Sequence, residues 1–128
     1  MNLLLDTHAF IWLDGEQQKL SPAAARAMAD RANTLWLSVV SLWEIQIKLH
    51  LGKLTLRGSL PDILRDQERV NGLQILPLQP AHVLTLSSLS SHHNDPFDRM
   101  LIAQAKHEGW EIISKDPEFK AYSVPVIW

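Results

Sequence analysis

Carboxylates are the residues of this sequence whose spacing points most clearly to chemistry. Five of them follow predicted strands or open the helix that leads into one: Asp6, Glu44, Asp95, Asp98 and Asp116. Ligands of parallel sheets bind beyond the carboxyl ends of the strands. We therefore expect these five side chains to gather at one edge of a sheet.

Gathered acids would favour a bound cation. Carboxylates within about 5 Å of one another raise at least one pKa and cost stability, and a divalent ion relieves that repulsion. The chain has no Cys, and a set of oxygen ligands suits a hard ion such as Mg²⁺ or Mn²⁺. Four or five carboxylates are enough to hold one or two ions, and two-metal sites of this kind support in-line displacement at phosphorus.

Helix capping offers a purely structural explanation for the same acids. Four of them fall at predicted helix starts, where a carboxylate accepts backbone N–H groups or favours the positive end of the helix: Asp6, Asp95, Asp98 and Asp116. Glu44 has the spacing of the acidic partner of Ser41 in a capping box. Helix starts and ligand sites share one sheet edge in this architecture, so their shared location does not separate the two explanations.

The elements that position these acids alternate along the chain. Strands are predicted at residues 3–5, 35–40, 73–78, 110–114 and 124–127. Helices are predicted at residues 9–13, 22–32, 41–51, 61–70, 80–89 and 96–107, with a helical turn after Asp116. The alternation favours an α/β fold with a central parallel sheet and helices on both faces.

Composition sets the broad class of protein. The 128 residues are 46% hydrophobic and 20% charged, which fits one globular domain spanning residues 1–128. No run approaches the roughly 18 apolar residues of a membrane span. The amino terminus lacks the basic region of a signal peptide, so we expect a cytoplasmic protein. The net charge of −2 means that any nucleic-acid binding depends on a local basic patch.

Three motifs carry a family resemblance. LLLDTH at the start, SLWEIQIK in the middle and DPFDRMLIAQA near the end occur in order, followed by ISKDPEF. Together they resemble the PIN-domain ribonucleases, in particular the VapC-type toxins of bacterial toxin–antitoxin pairs, over residues 2–128. The resemblance implies a three-layer α/β/α sandwich and an internal cut in RNA that depends on Mg²⁺ or Mn²⁺.

The resemblance also implies a role for each acid. Asp6 and Asp98 would bind the principal metal ion. Glu44 and Asp116 would hold a second ion or orient the attacking water as general base. Asp95 would be an additional acid of the metal site, as in relatives that share the DPFDR motif.

Hydroxyl and basic side chains beside the acids are candidates for binding the substrate. Thr7 and Ser41 occupy positions where the resembled family often has hydroxyl groups near the metal. Arg99, Lys48 and Lys115 could hold the RNA backbone, Arg99 through a bidentate contact. The alternative for each basic residue is a solvated surface charge.

The expected partners are an RNA substrate, a cognate antitoxin and a second copy of the chain in a homodimer. The antitoxin would lie across the cleft and could contact the helix at residues 61–70 and the first helix, which carries Trp12. Two other functions remain open. The same fold could act on DNA or another phosphoester, or the acids could serve only as caps in a non-catalytic binding module.

Tryptophans and histidines could also contribute to a site. Trp43 is expected in the core on a periodic helix face, and Trp36 and Trp110 in strands favour the core as well. Trp12 is the best candidate for stacking on a base or anchoring an interface. His8 is expected to be a partly buried turn residue. A metal site at residues 92–93 is disfavoured, because adjacent loop side chains rarely both reach one ion.

Overall fold

A central parallel sheet organises the molecule in the computed structural model, which describes residues 1–91 and 95–128. The described strands are β1 (Asn2–Leu5), β2 (Thr34–Ser38), β3 (Gln74–Leu76), β4 (Glu111–Ile113) and β5 (Val126–Ile127). Their order is β3-β2-β1-β4-β5, and every neighbouring pair is parallel. β1 therefore lies in the middle of the sheet.

Helices cover both faces of this sheet, which confirms the α/β/α sandwich. They are α1 (Thr7–Gly15), α2 (Pro22–Ala29), α3 (Val39–His50), α4 (Leu60–Asn71), α5 (Pro80–Thr85) and α6 (Pro96–Glu108). Short 3₁₀ turns occupy Gln17–Lys19, Leu86–Ser88 and Pro117–Ala121. Among the residues described, no helix has both the length and the apolar character needed to cross a bilayer.

The apolar run at β1 is buried from both sides. Leu3 and Leu5 join a cluster with residues of α1, α2 and α4, whereas Leu4 joins a second cluster with residues of α6. Successive side chains of a strand point to opposite faces, so a strand covered by helices on both faces must be apolar at every position. This explains why three consecutive leucines form a strand.

The start of α3 differs from the sequence prediction. β2 ends at Ser38, and the Ser38 hydroxyl accepts the backbone N–H of Val40 at 3.0 Å, so the helix begins two residues before Ser41. The predicted capping box of Ser41 and Glu44 is therefore wrong, and both residues lie buried inside the helix. The β-branched pair after Ser38 favoured a longer strand, but an earlier serine provides the cap.

Trp43 is not a core residue, contrary to the sequence prediction. It is 61% exposed and meets the ring of Phe97 edge-on, with the centroids 5.2 Å apart. α3 has two apolar stripes, and the one that faces the sheet contains Ile45 and Leu49. Trp36 and Trp110 are half-buried, pack against the cluster that contains Leu4, and have their ring centroids 4.9 Å apart.

A buried polar chain joins β2, α5 and α6. Ser38 Oγ donates to Gln104 Oε1 at 2.6 Å, and Gln104 Nε2 lies 3.3 Å from Nδ1 of His82. The backbone N–H of Gln79 also donates to that Nδ1 at 3.1 Å, which leaves Nε2 of His82 as the donor to Glu108 at 2.9 Å. The His82 ring thus pairs with three polar groups at a site with no solvent exposure.

Replacing this imidazole should weaken the fold. We expect His82→Leu to lower the free energy of unfolding by about 1–3 kcal/mol, because the N–H of Gln79 and the amide of Gln104 lose a buried acceptor. Urea unfolding followed by circular dichroism measures the change. The control is His50→Leu, an exposed histidine in the last turn of α3, which should change stability little. Equal losses in the two variants would contradict the proposed role of the buried chain.

Candidate active site

All five predicted acids line one small cavity at the carboxyl ends of the strands. The cavity has a volume of about 80 Å³ and is lined by Asp6, Thr7, His8, Glu44, Lys48, Asp95, Asp98, Asp116 and Phe119. Parallel pairing brings these residues together from four separate segments of the chain. The expected gathering of the acids at one sheet edge is therefore present in the structure.

Asp6 links the two central strands at this edge. It follows β1 and caps α1, with Oδ1 accepting the backbone N–H of Ala9 at 2.7 Å. Its Oδ2 accepts the hydroxyl of Ser114, which follows β4, at 2.6 Å. Burial raises the pKa of the Asp6 carboxyl; these two hydrogen bonds oppose the shift, and the charge of Asp116 adds to it.

Glu44 reaches the cavity from the middle of α3. Its Oε1 accepts the hydroxyl of Thr7 at 2.7 Å, and its Oε2 accepts Nζ of Lys48 at 2.7 Å. Ser41 Oγ lies 3.1 Å from the same Thr7 oxygen. Thr7 therefore contacts Glu44 directly and joins α1 to α3, whereas Ser41 contacts the hydroxyl of Thr7. Both residues were predicted to lie near a metal.

The remaining acids stand at the starts of two helical segments. Asp95 caps α6, with Oδ1 accepting the N–H groups of Phe97 at 2.8 Å and Asp98 at 3.1 Å. Asp98 follows in the first turn of α6. Asp116 caps the 3₁₀ turn at Pro117–Ala121, accepting the N–H of Glu118 at 2.9 Å. The capping predictions for Asp6, Asp95 and Asp116 are confirmed, and the same residues line the cavity.

The basic residues are arranged in three different ways. Lys48 lines the acid cavity and pairs with Glu44. Lys115 lines a larger neighbouring cavity. Arg99, predicted to hold the RNA backbone, instead donates to Ser90 O at 2.9 Å and to the Tyr122 hydroxyl at 3.2 Å, and it borders an apolar groove. The structure therefore does not bring Arg99 to the lining of the acid cavity.

Ser114 is a site residue that the sequence analysis did not single out. Its Oγ donates to Asp6 and accepts the backbone N–H of Asp116 at 3.0 Å, so one hydroxyl ties two of the acids together. Leu5 pairs with Ile113 in the sheet, which puts Asp6 opposite Ser114. Aligning the ends of the two apolar runs would have revealed this contact.

The donor set fits a hard divalent cation. It consists of carboxylate oxygens, one of them on a buried Asp6 whose pKa is raised because the ionised form lacks solvent. Within residues 1–91 and 95–128, no three His, Cys, Asp or Glu side chains are already grouped so that they could hold a metal ion. The oxygens of Asp6 and Glu44 accept hydrogen bonds from protein donors, and each carboxylate oxygen has a second lone pair with which it could bind an ion. The His pair at residues 92–93 lies outside the described residues.

Comparisons with known proteins agree with this architecture. A family model described as PIN domain matches residues 3–125. Ribonuclease VapC22 of Mycobacterium tuberculosis is 28% identical over 124 residues, which cover 96% of this chain and 93% of that protein.

Solved structures show the same fold. The structure of VapBC2 from Rickettsia felis bound to a promoter DNA fragment has a TM-score of 0.74 at 14% identity, covering 98% of this chain and 97% of that one. VapC20 of Mycobacterium tuberculosis, described as a sarcin–ricin loop cleaving toxin, has a TM-score of 0.65 at 16% identity, with 95% of each chain covered.

The buried carboxylate of Asp6 should cost stability at neutral pH. Because the pKa of Asp6 is raised in the folded state, folding favours the protonated form of this carboxyl. The contribution of Asp6 to stability is therefore greatest at low pH, and it is lost as pH rises through the folded-state pKa. We expect Asp6→Asn to raise Tm by a few degrees at pH 7 and by less at pH 4, as measured by calorimetry. Asp30→Asn, at an exposed helix C-cap, should change Tm little at either pH. A lower Tm for Asp6→Asn at pH 7 would overturn this explanation.

Proposed function

The chain belongs to the PIN domain family, and from that premise we propose that it is a metal-dependent endoribonuclease acting as the toxin of a toxin–antitoxin pair. The observation that carries the proposal is the gathering of five carboxylates around one cavity where parallel strands end. Ribonuclease activity is in the name of a relative that matches nearly the whole chain. VapC20, a structural neighbour, is described as a sarcin–ricin loop cleaving toxin.

In the proposed site, the acids would hold one or two Mg²⁺ or Mn²⁺ ions. Asp6 and Asp98 would bind the principal ion, with Asp95 as an additional acid. Glu44 and Asp116 would hold a second ion or orient the attacking water. A bound ion would lower the pKa of its water and neutralise charge that builds up on the phosphate oxygens. The donor chemistry of this cavity, described above, is what supports these assignments.

The protein's own contribution is to hold its acids in position. Ser114 fixes Asp6 through Oδ2, and the N–H of Ala9 fixes the other oxygen. Thr7 and Lys48 each hold one oxygen of Glu44. Orienting partners of this kind restrict the rotamers of a metal ligand or general base, and their loss commonly costs 10–100-fold in affinity or activity. Thr7, Ser41 and Lys115 would contact or position substrate near the acids.

Capping alone is the competing explanation, and specific contacts favour it. Asp6, Asp95 and Asp116 each accept backbone N–H groups at the start of a helical segment. Capping does not account for Glu44, which is buried in the middle of α3 and joined to Lys48. Calorimetric titration with Mn²⁺ separates the two hypotheses, because a module whose acids serve only as caps should bind no ion at millimolar concentration.

The proposed partners are an RNA, an antitoxin and a second copy of the chain, and the proposed location is the cytoplasm. Structural neighbours include VapBC complexes, which supports an antitoxin partner. Leu60 and Ile63 of α4 are buried in the core, so the partly buried Leu64 and the exposed Val70 are the apolar side chains with which this helix could contact an antitoxin. The first helix keeps Trp12 at the edge of a cavity.

Removing a proposed metal ligand should abolish RNA cleavage. We expect Asp98→Asn and Asp6→Asn each to lower the cleavage rate by about 100-fold or more, because the cation loses a charged ligand. The assay follows labelled total RNA with Mg²⁺, alongside excess EDTA and DNA of matched length. Asp62→Asn, at a surface acid paired with Arg65, is the control and should cleave normally. Full activity in EDTA would refute metal dependence, and a preference for DNA would refute the RNA substrate.

Removing the Thr7 hydroxyl should misplace Glu44 without unfolding the protein. We expect Thr7→Val to lower kcat by about 10–100-fold with little change in KM, while Thr7→Ser, which keeps the hydroxyl, retains most activity. Steady-state cleavage of a fluorescent RNA measures both constants. Normal kcat in Thr7→Val would show that this hydrogen bond does not position the acid.

A further inference from the structure

A second cavity opens directly beside the acids. It has a volume of about 370 Å³, is lined by Asp6, His8, Trp12, Lys115, Asp116 and Pro117, and shares Asp6 and Asp116 with the acid cavity. We propose that this cavity is a nucleobase subsite, in which Trp12 stacks on the base of a nucleotide next to the phosphate that is cut. The proposal rests on the proposed nuclease function and names a binding determinant for its substrate.

The aromatic wall of this cavity is held in place. His8 and Trp12 lie one turn apart on α1, so their side chains share a face of the helix, and their ring centroids are 5.7 Å apart. Trp128, which packs against the core, lies 5.8 Å from the Trp12 ring on a tilted plane. Trp12 is only partly buried and borders the cavity. A fixed, half-exposed indole is the kind of surface on which a base stacks.

Positive charge accompanies the indole. Nζ of Lys115 and Nζ of Lys19 each lie 5.9 Å from the centroid of the Trp12 ring. Both lysines are exposed, so either ammonium can move to a phosphate when a base takes its place over the ring. Nζ of Lys19 also forms an ion pair with Glu16, so in a chain with a net charge of −2 Lys115 is the lysine that we assign to the local positive charge that binding a polyanion requires.

The three chemical features match the parts of one nucleotide. The indole suits a base, Lys115 suits a backbone phosphate, and Asp6 and Asp116 mark the side where the phosphodiester would be cut. The other tryptophan that borders a described cavity, Trp43, lacks this combination. Its groove is apolar and shares none of the five acids with the acid cavity. Trp12 is therefore the tryptophan placed to read a base beside the proposed catalytic site.

The test measures binding in EDTA, where the proposed cleavage is blocked. The probes are fluorescein-labelled octaribonucleotides of A, C or U and an octamer of abasic ribose phosphates with the same charge, all followed by anisotropy. For the wild type we expect at least one base-bearing octamer to bind about 5- to 150-fold more tightly than the abasic one. In Trp12→Ala that ratio should fall close to one, while the affinity for the abasic octamer changes less than about two-fold.

Matched variants separate stacking from charge and from stability. Trp12→Phe should keep most of the ratio, and Lys115→Gln should weaken binding of every octamer by a similar factor. Trp110→Ala, just before the amino end of β4 and so away from the carboxyl ends of the strands, should leave the ratio unchanged. If circular dichroism shows that Trp12→Ala is poorly folded, Trp12→Leu replaces it as the test. Leucine fills much of the apolar volume without an aromatic ring, so in this variant too the ratio should fall close to one.

Two results would overturn the proposal. One is a wild type that binds base-bearing and abasic octamers equally, and the other is a ratio that survives in folded Trp12→Ala or Trp12→Leu. Either would indicate that the cavity serves another role, such as contact with a protein partner. This test measures binding and not cleavage. It can therefore contradict the base subsite without contradicting the nuclease activity, and the cleavage assay can contradict the nuclease activity without contradicting the base subsite.

Discussion

The carboxyl group of Asp6 lies at a position that is only 5% exposed to solvent. Such a group is tolerated when hydrogen bonds replace the lost water, and both of its oxygens have one: Ala9 donates from α1 and Ser114 from beyond β4. A further backbone bond, from the N–H of Asp6 to Ile113 O at 3.0 Å, holds the same two segments. The ends of the central strands are thereby joined at the place where the other acids converge.

Capping and ligand binding are compatible roles for one carboxylate. A cap engages one oxygen with backbone N–H groups, as in Asp6 and Asp95, and a carboxylate has lone pairs on the second oxygen as well. The cap therefore fixes the rotamer from one side while another partner is bound from the other. In a parallel sheet, where helices start at the edge at which ligands bind, the elements that build the fold also orient the chemistry.

Much of this arrangement could be predicted from the sequence, because its signals are local. Three consecutive leucines before Asp6 indicate a strand buried on both faces, and Asp95-Pro96 and Asp116-Pro117 mark helix starts. The sequence predictions were wrong where the local sequence allowed two arrangements equally well and only tertiary packing determined which one forms. α3 has two apolar stripes, and only packing against the sheet decides that Ile45 is buried and Trp43 exposed. The contact of Ser114 with Asp6 spans more than a hundred residues and depends on strand register.

The central position of β1 has a consequence for biosynthesis. This strand is synthesised before its neighbours on either side, β2 and β4, which are completed only at residues 38 and 113. A nascent chain that already carries Asp6 and Glu44 still lacks Ser114 and Asp116, so it cannot close the cavity. The proposed activity therefore depends on residues that are synthesised after β1, β2 and the helices between them.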